Sequence, residues 1–228
     1  MRRGQSKRRR IVILGGAASG IIISETIKIC ETAGAAIELQ GFLNDDMSIG
    51  SHLAGYRILG PFGHWAECPP DTKFISAVMK PGHALQRFAR IKALGIPDNR
   101  WASIVHPAAS VAASAAVGYD TFIGATAVVE SGSMVGNHCH IRGGSYVSHD
   151  ARLDDFVFVG PNATVLGRCV VGEGVHLGAN AVCRDQISIG NYSLIGIGAV
   201  VTGNVPAFAI MAGNPARRIG FVENSQVS

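Results

Sequence analysis

Aliphatic residues recur at every sixth position over the second half of the chain. The seventeen positions from Val105 to Val201 hold Val, Ile or Leu, with Cys183 as the exception. The residue four positions after each of them is Ser, Thr, Ala or Val in fourteen cases. Neither a helix nor a simple alternating strand has this period. The pattern therefore predicts repetition of one small structural unit, without insertions, over nearly a hundred residues.

Short strands joined by tight, glycine-assisted corners explain a period of six. Three such hexapeptide units together make one triangular coil. The aliphatic residue points into the prism, and the small residue four positions later fills the remaining interior. Successive coils stack through parallel strand pairing at about 4.8 Å, so only the two ends need caps. We predict a parallel β-helix over residues 105–206 and a C-terminal cap and tail over residues 207–228.

The first half of the chain alternates between strand and helix patterns. Strands are predicted for "RIVILGG", "AIELQGFLNDD", "YRILGP" and "TKFISAVM", and helices for "GIIISETIKICETAG" and "GHALQRFARIKALG". This alternation predicts a small parallel sheet with packed helices over residues 11–104. Ligands of such sheets bind beyond the carboxyl ends of the strands.

Charge is concentrated at the start of the chain. Residues 1–10 hold six of the 20 basic residues and no acid, which predicts a disordered basic tail. The remainder has 14 basic and 16 acidic residues, so it has no general basic face for nucleic acid. No run of about 18 apolar residues predicts a membrane span. The apolar stretch after the tail fits a strand, turn and helix better than a signal peptide.

Five cysteines, an odd number without a C-x-x-C pair, argue against a disulfide framework or a structural zinc site. A reducing cytoplasm fits this usage better. His138, Cys139 and His140 are adjacent, but Cys139 falls at an inward position while its neighbours point outward. Three side chains that point in two directions do not form a tetrahedral site, so we predict no metal.

Several motifs together resemble the hexapeptide-repeat superfamily of bacterial sugar acyltransferases. They are the first turn "LGGAASG", the acidic "FLNDD", the "IVHP" at the junction, the hexapeptides, "SHD" and the closing "GNPARRI". "SHD", together with the α/β unit, resembles the group of sialic acid O-acetyltransferases and N-acetyltransferases of 4-amino nucleotide sugars. The resemblance covers nearly the whole chain. It implies a Rossmann-like N-terminal domain that binds the sugar nucleotide, a left-handed β-helix, acetyl-CoA as donor, and a homotrimer with active sites between subunits.

The same resemblance assigns the catalytic residues. His149 lies two residues past the inward Val147, hence on the surface of a coil, and matches the general base that takes a proton from a sugar amine or hydroxyl. Asp150 matches the acid that fixes the ring's tautomer. The backbone of Gly167 matches the oxyanion donor. A solvated histidine is the plain alternative for an isolated His, and the motif favours the catalytic role.

Two positions depart from the family pattern. A second histidine is often found nine residues after the first, where this chain has Phe158. His140 and His176 lie one coil below and above, and we hypothesise that one of them makes the missing contact; otherwise Phe158 packs on the pantetheine arm.

Arg142 stands where many relatives carry Asn, in a column of glycines that leaves it room. It either contacts a carboxylate or phosphate of the acceptor or is simply solvated.

The remaining candidates concern binding. The resemblance implies that Arg217 and Arg218 of "GNPARRI" contact the CoA phosphates, and that small residues form the wall for the pantetheine arm: Gly178, Ala179, Gly196, Gly198 and Ala199. At the other end, Gly15 and Gly16 can present N–H groups at a helix start. Asp45 and Asp46 can accept hydrogen bonds from a nucleobase or sugar hydroxyls. A basic loop and a polar loop are the plain alternatives.

The predicted function is that of a cytoplasmic acetyl-CoA-dependent acetyltransferase. Its acceptor would be an amino group or hydroxyl of a nucleotide-linked or sialic-type sugar in surface-glycan biosynthesis. Two alternatives stay open, a non-catalytic β-helix scaffold and the same fold with a longer acyl donor, including acyl-carrier protein. The sequence does not separate N- from O-acetylation or name the nucleotide.

Overall fold

The N-terminal part of the chain forms a five-stranded sheet with helices packed on it. The computed structural model describes residues 8–79 and 83–222. The sheet has the order β3-β4-β2-β1-β5, parallel except for the β3-β4 pair. Its elements are β1 Arg9–Gly15, α1 Ala17–Thr32, β2 Ile37–Leu43, β3 His52–Leu53, β4 Tyr56–Gly60, β5 Lys73–Ala77 and α2 Ala84–Ala93, with 3-10 turns at Phe62–Glu67 and Asp98–Arg100. The four strands and two helices expected from the sequence are all present.

Strand β1 lies at the centre of the sheet between β2 and β5. The run Ile11 to Leu14 is fully buried, because both faces of a central parallel strand are covered. The strand begins at Arg9, inside the segment predicted to be a disordered tail. Arg10 pairs with Asp71 at 3.7 Å, so this end of the predicted tail is ordered. Residues 1–7 of that tail lie outside the described residues.

From Ile104 onward the chain is built from two-residue strands, each paired in parallel with the strand three repeat units later. The strands form three sheets, with the orders β22-β19-β16-β13-β10-β7, β20-β17-β14-β11-β8 and β24-β23-β21-β18-β15-β12-β9-β6. They are β6 Ile104–Val105, β7 Ser110–Val111, β8 Ala116–Val117, β9 Phe122–Ile123, β10 Val128–Val129, β11 Met134–Val135, β12 His140–Ile141, β13 Tyr146–Val147, β14 Arg152–Leu153, β15 Phe158–Val159, β16 Thr164–Val165, β17 Val170–Val171, β18 His176–Leu177, β19 Val182–Cys183, β20 Ser188–Ile189, β21 Leu194–Ile195 and β22 Val200–Val201. A closing antiparallel hairpin follows, β23 Ala209–Ala212 and β24 Arg217–Phe221. The predicted coil of three hexapeptides is confirmed.

At the corners of the coils, one residue has a left-handed backbone conformation, which the sequence analysis did not predict. A positive φ recurs at every sixth position from Asp120 to Gly198, and most of these residues are not glycine. A left-handed non-glycine residue costs about 1–2 kcal/mol. Its N–H, however, donates to a carbonyl of the coil below, as from Asp150 to Ser131 and from Arg168 to His149, each at 3.1 Å. These hydrogen bonds offset the cost and join neighbouring coils at the corners.

The interior of the β-helix is an aliphatic core. The predicted inward positions from Ile123 to Val201 are buried, and the small residues four positions later fill the space between them. The repeat is less regular at its start, where Val105 is 40% exposed instead of buried. The first coil has no coil beneath it to close the prism, and the α/β unit covers Ile104 instead.

A buried polar cluster joins the two halves at Ser76, near the end of β5. The carboxylate of Asp120 accepts hydrogen bonds from the N–H and the hydroxyl of Ser76, both at 2.6 Å. His138 contacts the same carboxylate through Nδ1 at 2.5 Å. Nε2 of His140 donates to the carbonyl of Ser76 at 3.0 Å. Every polar group of Ser76 is therefore held by the early coils, which fixes the end of β5 relative to the prism.

The glycines between coils give a direct test of the stacking. A Cβ added to Gly160 would lie 2.7 Å from the carbonyl oxygen of Leu177 and 2.8 Å from the backbone N of Ala179. We expect Gly160→Ala to lower the free energy of unfolding by about 1–3 kcal/mol, as overpacking does. Gly203→Ala is the matched control, since its Cβ would meet nothing within 4 Å. Urea unfolding of both variants checks this, and equal stabilities would contradict it.

Candidate active site and binding cavities

The predicted catalytic pair is formed and exposed. His149 Nδ1 lies 3.0 Å from Asp150 Oδ2, and the two side chains are 50% and 57% exposed. Asp150 occupies one of the left-handed corner positions, which turns its carboxylate back toward the preceding ring. With Nδ1 engaged by the acid, Nε2 is the nitrogen free to exchange a proton with a substrate. Nε of Arg168, one coil above Asp150, lies 3.9 Å from the same carboxylate oxygen.

Glycines on the coils above and below make room for this pair. A Cβ on Gly167 would lie 2.7 Å from His149 Nε2, and one on Gly132 would lie 2.5 Å from Asp150 Oδ1. The imidazole therefore lies against the bare Cα of Gly167. In the described part of the chain, the backbone N–H of Gly167 has no intramolecular acceptor. A candidate base and an unpartnered backbone donor thus lie next to each other, and acyl transfer requires both kinds of group.

A carboxylate that the sequence analysis missed supports this corner. Oε2 of Glu130 accepts a hydrogen bond from the backbone N–H of His149 at 3.1 Å and from the hydroxyl of Ser148 at 3.0 Å. Hydrogen bonds from Tyr146 and Ser148 hold the pKa of Glu130 below its ordinary value, so the carboxylate stays ionised. The signal was available in the repeat, because a shift of three hexapeptides places Glu130 directly below Ser148.

The two candidates for a second histidine have different environments. His140 is fully buried under the α/β unit, and burial lowers the pKa of His140 to about 3. The predicted contact from His140 to a substrate is therefore wrong for this structure, because the ring holds the domain junction. His176 is partly exposed and stacks on Phe158 with ring centroids 4.3 Å apart. Burial lowers the pKa of His176 to about 4, so this aromatic pair is neutral at physiological pH.

The glycines above and below Arg142 suggested a side chain with room to move, but the structure buries it. Only 9% of the residue is exposed, and its guanidinium lies over the ring of Phe122, 5.7 Å from the centroid. Burial lowers the pKa of Arg142. Its Nη1 has no hydrogen-bond partner among the described residues. The plain alternative of a solvated side chain is thus excluded. Within residues 8–79 and 83–222, no carboxylate forms an ion pair with this buried cation.

The predicted donor wall is only partly at the surface. Ala199 is fully buried in the core of the prism, because it occupies the inward position four residues after Ile195. Gly178 is buried as well, since the coil above lies where its Cβ would be, with Ile197 N at 2.7 Å. These two residues are therefore corrected to structural positions. Ala179, Gly196 and Gly198 are accessible.

An apolar side chain and two arginines stand near this accessible wall. Ile197, between Gly196 and Gly198, is 80% exposed and was not singled out in the sequence. Arg217 and Arg218 are both exposed on β24, and the guanidinium of Arg218 lies over the ring of Phe221 at 4.7 Å from its centroid. Exposed guanidinium groups of this kind suit phosphate contacts.

A cavity of about 300 Å³ opens at the carboxyl ends of β1, β2 and β5. Gly15, Gly16, Asp45 and Asp46 line it, together with residues that the sequence analysis did not select: Asn44, Phe62, Ala77, Val78, His83, Gln86, Arg87 and Arg90. The glycines are required, because a Cβ on Gly15 would lie 3.0 Å from the backbone of Ala77. This is the position expected for a ligand of a parallel sheet.

The two acids of this cavity differ in their availability. Asp45 accepts a hydrogen bond from the N–H of Phe62 at 2.6 Å and forms an ion pair with Arg90. Its carboxylate is therefore already occupied within the chain, whereas the sequence suggested a contact to ligand hydroxyls. Asp46 is exposed beside it, held through its own N–H by the side chain of Asn44 at 2.8 Å. Arginines from α2 make the other side of the cavity basic.

Comparison with known proteins identifies the repeat. Residues 150–185 match the family model "Bacterial transferase hexapeptide (six repeats)". The matched segment lies within the coils formed by the six-residue repeat. A GDP-perosamine N-acetyltransferase of Escherichia coli O157:H7 is 28% identical over 77% of the chain and 80% of its own length. A dTDP-3-amino-3,6-dideoxy-alpha-D-galactopyranose 3-N-acetyltransferase of Aneurinibacillus thermoaerophilus is 45% identical over 25% of the chain, and this match spans 29% of that enzyme.

Solved structures extend the likeness to both halves of the chain. The acetyltransferase domain of PglB from Neisseria gonorrhoeae, in complex with acetyl coenzyme A, has a TM-score of 0.79 with 29% identity. The match covers 93% of this chain and 100% of that one. PerB from Caulobacter crescentus, in complex with CoA and GDP-perosamine, has a TM-score of 0.79 over 92% of this chain and 97% of that one; at 23% identity it shows the fold. The resemblance predicted from the sequence is confirmed.

No three His, Cys, Asp or Glu side chains within residues 8–79 and 83–222 converge as metal ligands would. All five cysteines carry free thiols. In the same ranges, no helix is long and apolar enough to cross a membrane.

The buried His140 predicts how stability depends on pH. Its pKa in the folded chain is about 3, against an ordinary value of 6.5. As the pH falls below 6.5, the unfolded chain therefore binds a proton that the folded chain excludes, and stability decreases. For one such histidine the loss between pH 7 and pH 5 is about 2 kcal/mol. We expect His140→Gln to reduce this loss and the exposed His52→Gln to leave it unchanged. Urea unfolding at both pH values checks it, and identical pH dependence in all three proteins would contradict it.

Proposed function

We propose that the chain is an acetyl-CoA-dependent N-acetyltransferase that acylates the amino group of a nucleotide-linked sugar. The observation that carries the proposal is the exposed His149–Asp150 pair against Gly167, whose N–H is free. The relatives support it, since those matched above are named as N-acetyltransferases of GDP- and dTDP-linked amino sugars. A neighbour over the whole chain binds acetyl coenzyme A.

The reaction is a direct transfer. The neutral sugar amine attacks the thioester carbonyl carbon while His149 Nε2 takes one proton from the attacking nitrogen. The carbonyl oxygen becomes negative and accepts a hydrogen bond from the N–H of Gly167. Asp150 holds the ring through Nδ1 and stabilises the imidazolium. Collapse breaks the carbon–sulfur bond, and the proton held by His149 passes to the CoA thiolate, leaving an N-acetyl sugar and CoA.

The two halves have separate roles in this proposal. Residues 11–104 form a Rossmann-like domain whose 300 Å³ cavity takes the nucleotide, with N–H groups at Gly15 and Gly16 near phosphate, and Asp46 near hydroxyls. Residues 105–206 form a left-handed β-helix that carries the chemistry. Ala179, Gly196 and Gly198 line the pantetheine arm, and Phe158 packs beside it. Arg217 and Arg218 of the C-terminal cap contact the CoA phosphates.

We propose that the protein forms a homotrimer in which each active site lies where two chains meet. Half of the His149 side chain is exposed in a single chain, and the neighbouring chain would cover it. Low-dielectric surroundings strengthen the electrostatic interactions on which such a site depends. Sedimentation equilibrium tests this arrangement, and a monomer at assay concentration would contradict it. The cytoplasmic location stays a prediction from the cysteine usage.

The first test is CoA release by the purified protein with acetyl-CoA and a panel of acceptors. The panel holds UDP-, GDP- and dTDP-linked amino sugars and free and CMP-linked sialic-type acids. We expect turnover with an amino sugar nucleotide and a loss of at least about a hundredfold in His149→Ala, which is typical for removal of a general base. An absence of both acetyl-CoA binding and turnover would favour the scaffold, and turnover only with longer acyl donors would favour the other alternative.

Arg142 generates a separate prediction about the acceptor. Its buried guanidinium has no anionic partner in the described ranges, so we propose that a phosphate or carboxylate of the acceptor pairs with it. Arg142→Met should raise the KM for the acceptor about tenfold or more and leave the KM for acetyl-CoA within about twofold. Steady-state kinetics with each substrate varied in turn checks this. Equal changes in both KM values, or none, would contradict the assignment.

A further inference from the structure

Glu130 makes a set of contacts that the proposed chemistry does not use directly. It follows β10 and stands one coil below Ser148 on the corner that carries His149. One oxygen, Oε2, accepts both the backbone N–H of His149 and the hydroxyl of Ser148, at 3.1 and 3.0 Å. Tyr146, the first residue of β13, lies on the same coil and contributes to the lowered pKa of this carboxylate. Two groups of one coil are thus held by a single side chain from the coil below.

Equivalent positions of other coils are capped from the opposite side. The N–H groups of Tyr119 and Asn137 are also capped by side chains, but by Asn137 and Asp155, each from the coil above. At the corner of His149 the coil above supplies Gly167, which has no side chain. The carboxylate reaches the same kind of N–H from below, which leaves the space above His149 open for the ring and for a substrate.

The contacts act on the peptide that sets the direction of the His149 side chain. Asp150 Oδ2 holds the ring at Nδ1, but both side chains are half-exposed. The peptide between His149 and Asp150 is held separately, by backbone hydrogen bonds to the neighbouring coils. The hydrogen bond from the N–H of His149 to Glu130 fixes the peptide between Ser148 and His149. The Cα–Cβ bond of His149 then points toward Gly167. A displacement of about 1 Å at a reacting group can cost about a hundredfold in rate.

We propose that Glu130 is a positioning residue for His149: it holds the corner of residues 148–150 so that Nε2 stays aligned with an attacking nucleophile. This inference rests on the proposed function. Because Glu130 acts on the base and not on either substrate, its removal affects turnover more than substrate binding. Its acceptor oxygen, not its charge, makes the contact to the backbone, so an uncharged amide can replace it.

Three variants test the role by steady-state kinetics. Glu130→Ala removes the acceptor and should lower kcat about tenfold or more, with both KM values within about twofold. Glu130→Gln keeps a carbonyl oxygen for the N–H of His149 and the hydroxyl of Ser148, and should restore kcat to within about threefold of the original. Asp155→Ala is the matched control, since it removes a carboxylate cap from a corner N–H away from His149, and should leave kcat within about twofold.

Each contrary outcome overturns the proposal. An unchanged kcat in Glu130→Ala shows that the corner needs no support. A kcat in Glu130→Gln as low as in Glu130→Ala shows that charge matters and position does not. An equal loss in Asp155→Ala, with lowered thermal stability in both, shows a general effect on the coils.

If the unaltered protein has no turnover, the proposed function fails and the positioning role is judged by crystallography. In Glu130→Ala the distance from His149 Nδ1 to Asp150 Oδ2 should exceed about 3.5 Å, the limit of a hydrogen bond. An unchanged distance of 3.0 Å would overturn the inference.

Discussion

The stacking of parallel coils, each made of three hexapeptides, determines the surroundings of each residue in the second half of this protein. It pairs each two-residue strand with the one above and the one below, and it joins the corners through the N–H of a left-handed residue. Because the register never shifts between residues 105 and 201, the neighbours of any surface residue are those three hexapeptides away. His149 is therefore defined less by its own coil than by Gly167 above and Glu130 below. A one-residue insertion between Glu130 and His149 would break the register that brings these two residues together.

The second constraint is the junction between the halves. Ser76 lies next to Ala77 and Val78, which line the N-terminal cavity. Asp120 and His140 hold the backbone and hydroxyl of Ser76 with hydrogen bonds of 2.6 to 3.0 Å. These groups are fully buried, so the contacts are shielded from competing water. The cavity therefore keeps a fixed position relative to the prism, as an enzyme needs when its acceptor binds on one unit and reacts on the other.

The hexapeptide period was sufficient to predict the coils, the inward residues and the exposure of His149. It also contained the reason why Ala199 cannot line a donor groove, since the residue four positions after Ile195 points inward. The family resemblance was nevertheless used to place Ala199 in the donor wall, and that prediction was wrong. The glycines of the corners suggested that tight turns need glycine, whereas Asp120, His138 and Asp150 adopt the left-handed conformation with a side chain. Hydrogen bonds between coils, which sequence patterns do not display, stabilise this conformation at those corners.

Contacts between the two halves were outside the reach of sequence analysis. The repeat places His140 on the outer face of a coil, but it does not say what packs on that face. In the structure β5 covers it, and the ring donates to Ser76. Glu130 was different, since the repeat already placed it directly below Ser148; only its contact with the backbone N–H of His149 is invisible in a sequence. Arg142 was recognised as unusual, yet its burial over Phe122 became evident only in three dimensions.

The central claim is that His149 and Gly167 meet a substrate delivered from the N-terminal cavity. A crystal structure with CoA and a GDP- or dTDP-linked amino sugar tests it most directly. The account predicts the sugar amino nitrogen within about 3 Å of His149 Nε2, the reach of a general base, with the nucleotide beside Gly15 and Gly16. An amino group well beyond hydrogen-bonding distance of His149, or a nucleotide bound away from this cavity, would contradict it.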